Sequence, residues 1–378
     1  MGECDVRGML ANPRHQKVNS LYRFMSDGLI DGDIRVARTL PSAYYTDPAL
    51  FEFQRNFIKT TWQFIGSSEQ FPFSITPLPH LEELLDEPMI RTHNGDRVRV
   101  LSNVCTHRGM VICHERTNKT TVQCPYHGRT FDCNGRMKHM PGFEQALNFP
   151  TDDDHLTSFK FQTWNGFEFL TLDSEVDLEA LLKPVQERIG WFLNDLLYDE
   201  NRDRDWDINA HWMLYVDNYL EGFHIPFVHP ELNDALEKKG YTTECFDQSV
   251  LQIGLAAEGE VCFDLPEESP DHGKNIAAYY WWLYPNLMFN VYPWGVSVNI
   301  VVPTSMTTTR VLFRSYVKRA DLLDQGAGAE LDKVELQDQF VVENCMKGMH
   351  SSAYERGRYS PTHEQGVHHF HRMITSLK

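Results

Sequence analysis

The apolar and polar positions divide the chain into two β-containing parts. Between residues 51 and 173 the apolar runs are short and β-rich, with turn signals such as NGD at 94–96 between them. The strands predicted there are VRVLSNV, TVQCPY and GFEFLTLD. Further along, alternating apolar and aromatic runs predict an antiparallel sheet from SVLQIGLAA, AAYYWWLYPNLMFNVYP, VSVNIVVP and RVLFRSYVKR.

Three segments have helical spacing of apolar residues. These are residues 177–198, interrupted by Pro184, residues 211–227, distorted near Pro226, and residues 331–357. The order of elements predicts an α+β fold, with a small all-β unit followed by an antiparallel sheet flanked by helices. We expect an N-terminal arm over 1–50, a first domain over 51–173 and a second over 174–378.

Length and charge narrow the class of protein. A chain of 378 residues is long for one core, so two domains are expected. The net charge of −18 argues against nucleic acid or an anionic membrane as a partner. No apolar run approaches the ~18 residues needed to cross a bilayer, and the first residues include acids instead of an apolar run. We therefore expect a cytoplasmic protein whose cysteines are ligands or core residues.

Two short motifs each pair a cysteine with a histidine. Cys105-x-His107 is separated by sixteen residues from Cys124-x2-His127. Two thiolates and two imidazoles suit either zinc or a [2Fe–2S] cluster. A zinc finger usually has its two cysteines first and its two histidines after them, whereas here the types alternate. That order favours a Rieske centre, in which one iron takes both thiolates and the other both imidazoles.

A second group of candidate ligands lies in DNYLEGFHIPFVHP at 217–230. On an ideal helix, His224 and His229 would be separated by roughly 500° of rotation, so they can share a metal only if the helix is distorted. Pro226 supplies a reason for distortion. Two imidazoles and one carboxylate form the facial triad of non-haem Fe(II) oxygenases. Register alone does not choose the carboxylate among the downstream candidates Asp332, Glu335, Asp338 and Glu343.

Together these motifs resemble the Rieske non-haem iron oxygenases, the α subunits of aromatic-ring dioxygenases and their monooxygenase relatives. Arg129, in CPYHGRTF, stands where that family often has tryptophan. The resemblance implies a Rieske domain with a [2Fe–2S] cluster and a helix-grip catalytic domain with mononuclear iron. It also implies that Asp338 is the third iron ligand, and that Glu221 bridges the cluster of one subunit to the iron of the next. Asp217 is either a group supporting the iron site or a surface charge.

NYLEGFH, PNLMFNVYPWG and ERGRYSP…HHFHRM resemble the choline- and carnitine-oxidising branch of the family. This resemblance implies an enzyme that uses O2 and electrons from NAD(P)H, delivered by a separate flavin or ferredoxin reductase. It implies a homotrimer, or a pair of trimers, that monooxygenates a quaternary ammonium or related amine, with dealkylation as a possible outcome. The alternatives are an aromatic-ring dioxygenase that forms a cis-diol and an electron carrier without oxygenase chemistry.

Two further features concern the substrate and the chain end. In YYWWLYPNLMFNVYPW, alternation places Tyr280, Trp282 and Tyr284 on one face, where aromatic rings could hold a quaternary ammonium. Aromatic strands are nevertheless more often core than cage. The tail HEQGVHHFHRM predicts a packed terminal helix with exposed histidines, and we exclude those histidines, His368, His369 and His371, from the metal sites.

Overall fold

The structure is a computed structural model that describes residues 28–95 and 97–376, without the side chains of residues 238 and 239. The predicted α+β architecture is confirmed. The helices are α1 (Ala43–Thr46), α2 (Pro48–Ile58), α3 (Pro79–Leu85), α4 (Leu178–Ile189), α5 (Trp212–Tyr219), α6 (Ile225–Val228), α7 (Pro230–Ala235), α8 (Leu331–Met349) and α9 (Gln365–Ser376).

The first half of the chain contains three small antiparallel sheets, ordered β1-β9-β8, β2-β3-β4 and β5-β6-β7. Their strands are β1 (Gln63–Ser67), β2 (Ile75–Pro77), β3 (Met89–Asn94), β4 (Arg97–Ser102), β5 (Thr121–Gln123), β6 (Thr130–Asp132), β7 (Met137–His139), β8 (Lys160–Trp164) and β9 (Phe167–Thr171). A buried ion pair at 2.6 Å, between Arg91 of β3 and Glu168 of β9, ties two of these sheets together. Part of this β-rich unit has its own small apolar core, which includes Ile75, Leu101 and Phe131, and the Arg91–Glu168 ion pair links β3 to the sheet of β9.

The second half is built on one eight-stranded antiparallel sheet. Its order is β10-β17-β16-β15-β14-β13-β12, and β11 also pairs with β17. The strands are β10 (Leu197–Tyr198), β11 (Arg204–Ile208), β12 (Leu236–Phe246), β13 (Ser249–Ala256), β14 (Ile276–Leu283), β15 (Leu287–Tyr292), β16 (Gly295–Ser305) and β17 (Thr308–Val317). Helix α5 packs against β16 and α8, so it lies between the sheet and the long helix. The four predicted strand runs correspond to β13 to β17, whereas β10, β11 and β12 were not predicted.

Helix α2 corrects the sequence prediction, which placed the helix from residue 51 onward in a β-rich segment. Asp47 caps the helix by accepting a hydrogen bond from the backbone N–H of Ala49 at 2.8 Å, and Pro48 occupies the first turn. Leu50 and Ile58 are buried on one face of the helix. The expected domain boundary at residue 50 therefore falls inside a helix. Of the expected arm over 1–50, residues 1–27 lie outside the described residues.

The helix predicted over 211–227 is interrupted. Helix α5 ends at Tyr219, and a short helix resumes at Ile225 with Pro226 in its first turn, where a missing N–H costs no hydrogen bond. The distortion predicted near Pro226 is present, but the non-helical stretch precedes the proline. The long helix predicted over 331–357 ends earlier, at Met349.

The terminal helix α9 packs through its histidines, and their expected exposure is wrong. His368 and His371 are buried and His369 is half-buried. The Nε2 atom of His371 lies 2.8 Å from the Oδ1 atom of Asp217, and its Nδ1 atom lies 2.7 Å from the hydroxyl of Tyr359. Tyr45 donates a hydrogen bond to the other oxygen of Asp217 at 2.7 Å. Both ends of the described chain are thus tied to helix α5.

Candidate metal centres

Two loops of the β-rich unit carry the cysteine–histidine pairs. One follows β4 and the other joins β5 to β6. In each loop the cysteine carbonyl accepts a hydrogen bond from the glycine four residues later, from Gly109 to Cys105 at 2.9 Å and from Gly128 to Cys124 at 3.0 Å. Both glycines have positive φ, 69° and 77°, which a residue with a Cβ adopts at a cost. The two loops therefore have the same tight turn and present their side chains in the same way.

The two cysteine and two histidine side chains of these loops lie close together, with the cysteine sulfur atoms toward the interior. Cys105 and Cys124 are buried, whereas His107 is half-buried and His127 is exposed. The two imidazole centroids are 4.8 Å apart. Burial raises the pKa of the Cys105 thiol, so a bound metal has to stabilise the thiolate. This donor set fits a [2Fe–2S] cluster, which the two buried thiolates and the two more exposed imidazoles would hold.

Arg129, where the family often has tryptophan, is buried beside these loops. Its Nη1 atom donates hydrogen bonds to Thr106 Oγ1 at 2.7 Å and to Asp154 Oδ1 at 3.2 Å. The guanidinium carbon lies 5.7 Å from the ring centroid of Phe143 and 5.3 Å from that of Phe149. Arginine thus fills the position by stacking on aromatic rings and also links the second loop to the first.

The second centre lies between the interrupted helix and α8. Asp338 Oδ1 is 3.0 Å from His229 Nε2 and 3.5 Å from His224 Nε2. One ligand atom from each of these three residues lies within 4.8 Å of the others. Within the described residues, these three side chains form the one set of His, Cys, Asp and Glu side chains that lie close enough together to hold a single metal ion. The arrangement fits a facial triad for Fe(II) with positions left for other ligands.

Neighbouring side chains orient the three candidate ligands. Glu221 Oε1 lies 2.7 Å from His224 Nδ1, and Gln337 Oε1 lies 2.7 Å from His229 Nδ1. Each imidazole therefore uses Nδ1 in a hydrogen bond and turns Nε2 toward the common point. Asn218 donates a hydrogen bond to Asp338 Oδ1 at 2.7 Å. Asn218 and Gln337 were missed, because their only sequence signal was proximity to proposed ligands.

The other carboxylates weighed from the sequence are engaged elsewhere. Asp332 is exposed and pairs with Arg204 at 3.2 Å. Glu343 accepts hydrogen bonds from the backbone and side chain of Asn209. Glu335 is buried and turns toward Tyr215. Asp217 contacts Tyr45 and His371, and no hydrogen bond or ion pair joins it to the candidate ligands in the described structure.

A cavity of about 100 Å³ adjoins the candidate iron ligands. Much of its wall is aromatic and comes from the tyrosines at 219, 241, 280 and 292. Of the aromatic face predicted from alternation, only Tyr280 reaches this cavity. Trp282 packs on Phe370 of α9 instead, with ring centroids 5.2 Å apart. Most of the aromatic residues of this segment therefore belong to the hydrophobic core.

None of the helices within residues 28–95 and 97–376 is both long enough and apolar enough to span a bilayer.

Comparison with known proteins assigns both halves of the chain. Residues 61–159 match the model of the Rieske [2Fe–2S] domain, and residues 193–377 match that of the ring hydroxylating α subunit catalytic domain. The chain is 28% identical over 361 residues to a chloroplastic choline monooxygenase of Arabidopsis thaliana, covering 89% of this chain and 82% of that one. It is 27% identical over 361 residues to the carnitine monooxygenase oxygenase subunit of Escherichia coli K12, covering 90% and 94%.

A solved quaternary ammonium Rieske monooxygenase, described for carnitine oxidation and inter-subunit electron transfer, has the same fold. It superposes with a TM-score of 0.76 over 93% of this chain and 98% of the other, at 21% identity.

Proposed function

The chain belongs to the Rieske non-haem iron oxygenases as an α subunit, and we propose that it monooxygenates quaternary ammonium compounds. The observation that carries this proposal is the position of His224, His229 and Asp338 at an aromatic-walled cavity, in a chain that also carries a Rieske site. The cofactors of the family are a [2Fe–2S] cluster and a mononuclear iron. When bound, they supply electron transfer and dioxygen activation, respectively.

The residues of this chain have separate roles in that proposal. Cys105, His107, Cys124 and His127 hold the cluster, and His224, His229 and Asp338 hold the single iron. Glu221 orients His224 through Nδ1, and its other carboxylate oxygen accepts hydrogen bonds from the backbone N–H groups of Phe223 and His224. In this proposal the carboxylate also accepts a hydrogen bond from a histidine of a neighbouring subunit, since each carboxylate oxygen has two acceptor sites. Asn218 and Gln337 fix the remaining ligands in their positions, as partners of metal-bound residues commonly do.

The proposed substrate class follows from the cavity and the relatives. Faces of tyrosine rings attract quaternary ammonium groups, and at least four tyrosines line the cavity. The cavity volume of about 100 Å³ suits a small head group better than a polycyclic ring. The curated relatives named above oxidise choline and carnitine, which both carry such a head group.

We further propose that the protein works as a homotrimer supplied by a separate NAD(P)H-dependent reductase. Several of the exposed large apolar side chains form two groups, Tyr126 and Leu147 in the Rieske part and Phe223, Phe227, Leu336 and Phe340 beside the iron site. A ring in which the first surface of one subunit meets the second of the next would cover both. Such a ring would place the imidazoles of His107 and His127 beside the neighbour's Glu221.

Oxygen uptake with labelled O2 tests the proposed reaction. The iron-loaded protein, holding about three irons per chain, is combined with a surrogate reductase and NADH. Quaternary ammonium compounds and simple aromatics are offered side by side. One labelled oxygen atom in an ammonium-derived product is the expected result. A cis-diol with two labelled atoms from an aromatic would establish dioxygenation instead, and colourless protein without a Rieske-type signal would overturn the proposal.

A further inference from the structure

One acidic side chain in the cavity wall has no role at either metal centre. Three carboxyl groups line the cavity, from Glu221, Glu335 and Asp338. Glu221 and Asp338 are engaged with the candidate iron ligands, but Glu335 is not. It lies on α8 one turn before Asp338, so the two side chains project from the same helix face. Glu335 therefore lies near the reaction centre without belonging to it.

Glu335 is buried and has no cationic partner. Its side chain is only 2% exposed. Tyr215 donates a hydrogen bond to Oε2 at 2.7 Å, and Gln339 donates one to Oε1 at 3.1 Å. Within residues 28–95 and 97–376, the hydrogen-bond partners of Glu335 are neutral and no lysine, arginine or histidine forms an ion pair with it. The described lining of the cavity contains no lysine or arginine. Two neutral donors compensate a buried carboxylate only in part.

The pKa of the Glu335 carboxyl group reflects its burial without a cationic partner. Burial is the main cause that raises the pKa of Glu335 to about 7, and the hydrogen bonds from Tyr215 and Gln339 oppose the shift. A buried acid of this kind is expensive to keep charged unless a cation approaches it, and iron held by Asp338 would act in the same direction as a cationic ligand in the cavity. A permanently charged ligand in the cavity would supply that cation, since a quaternary ammonium cannot lose its charge by giving up a proton.

We propose that Glu335 is the specificity-determining residue that selects a cationic head group. This inference rests on the proposed function and adds which residue distinguishes a cationic ligand from a neutral one. The tyrosine faces hold both a trimethylammonium group and a neutral tert-butyl group of similar shape, with a modest preference for the cation. The Glu335 carboxylate supplies the larger part of the discrimination by charge.

Two pairs of isosteric probes test the inference by binding, without turnover. Choline is compared with 3,3-dimethylbutan-1-ol, and phenyltrimethylammonium with tert-butylbenzene, by calorimetry on iron-loaded protein without reductase. We expect Glu335→Gln to bind the cations about 10- to 100-fold more weakly and the neutral probes unchanged, because the amide loses the attraction between opposite charges in a site that excludes water. Asp332→Asn is the matched control, since it removes an exposed charge from the same helix and should leave all affinities unchanged.

The outcomes separate this inference from the proposed function. If the wild type prefers the cation in neither pair, the proposed substrate class is wrong. If the wild type prefers the cations and Glu335→Gln keeps that preference, the role of Glu335 is wrong while the substrate class stands. Equal weakening of both members of a pair would assign Glu335 a structural role, and the unfolding midpoint of the variant would fall with it.

Discussion

His211 shows how one buried side chain can make stability depend on pH. It is fully buried at the start of α5, accepts a hydrogen bond from the N–H of Met213 at 3.2 Å through Nδ1, and packs against Tyr45 and Phe51. Burial lowers the pKa of His211 to about 3. The unfolded chain binds a proton near pH 6.5 and the folded one does not, so the contribution present above pH 6.5 is lost between pH 6.5 and 3.

We expect His211→Asn, which keeps a capping side chain, to remove this dependence. The variant should be less stable than the wild type at pH 7.5, and the gap in unfolding free energy should shrink by about 1.4 kcal/mol at pH 5.5. Urea titrations at the two pH values measure the gap. His350→Asn, at an exposed position, is the control. A gap of constant size would contradict the assignment.

Glu221 is the second residue for which a substitution has a clearly defined expected effect. In Glu221→Gln the amide keeps the shape of the side chain but loses its charge and one acceptor oxygen. We expect both metals to be retained and substrate oxidation to slow by at least about tenfold. Iron content and turnover with a surrogate reductase measure the two effects, and Glu231→Gln, an exposed acid on α7 paired with Lys333, serves as control. Unchanged turnover would refute a bridging role.

Among the elements, the interruption between α5 and α6 determines where the ligands point. Gly222 lies in this interruption, and a Cβ added there would be 2.5 Å from Cε1 of Tyr241, a cavity residue. Gly222→Ala should therefore displace Tyr241, destabilise the protein by about 1–3 kcal/mol and weaken substrate binding. Thermal unfolding and calorimetry measure these effects.

Gly348 provides the matched control for that substitution. It lies in α8, where an added Cβ meets nothing within 4 Å. Gly348→Ala should be neutral or stabilise by up to about 1 kcal/mol, since alanine is the better helix former. Equal behaviour of the two variants would show that the approach of Tyr241 to Gly222 is not a steric constraint.

The predictions that agree with the structure were based on local patterns in the sequence. The two cysteine–histidine motifs lie in short loops, so their spacing was enough to predict one site, and alternation predicted β13 to β17. Helix α2 was missed although Asp47 and Pro48 are helix-start signals, because its aromatic residues also suit a strand. The partners Asn218 and Gln337 depend on how α5 and α8 pack, which periodicity does not specify.

At the scale of the whole molecule, the proposed ring can be tested by mixing defective subunits. His107→Ala removes a cluster ligand and Asp338→Ala removes an iron ligand, so each homotrimer should be inactive. If each cluster serves the iron of the next subunit, random mixed trimers should recover about a quarter of wild-type activity in an oxygen-uptake assay. Activity no higher than that of either parent would contradict transfer between subunits.

The contact between His371 and Asp217 has a practical consequence for handling the protein. Removing the last helix would leave the Asp217 carboxylate without its imidazole, directly beside the asparagine that positions Asp338. Shortening the carboxyl end, or crowding it with a bulky fusion, would therefore damage chemistry that lies far away in the sequence.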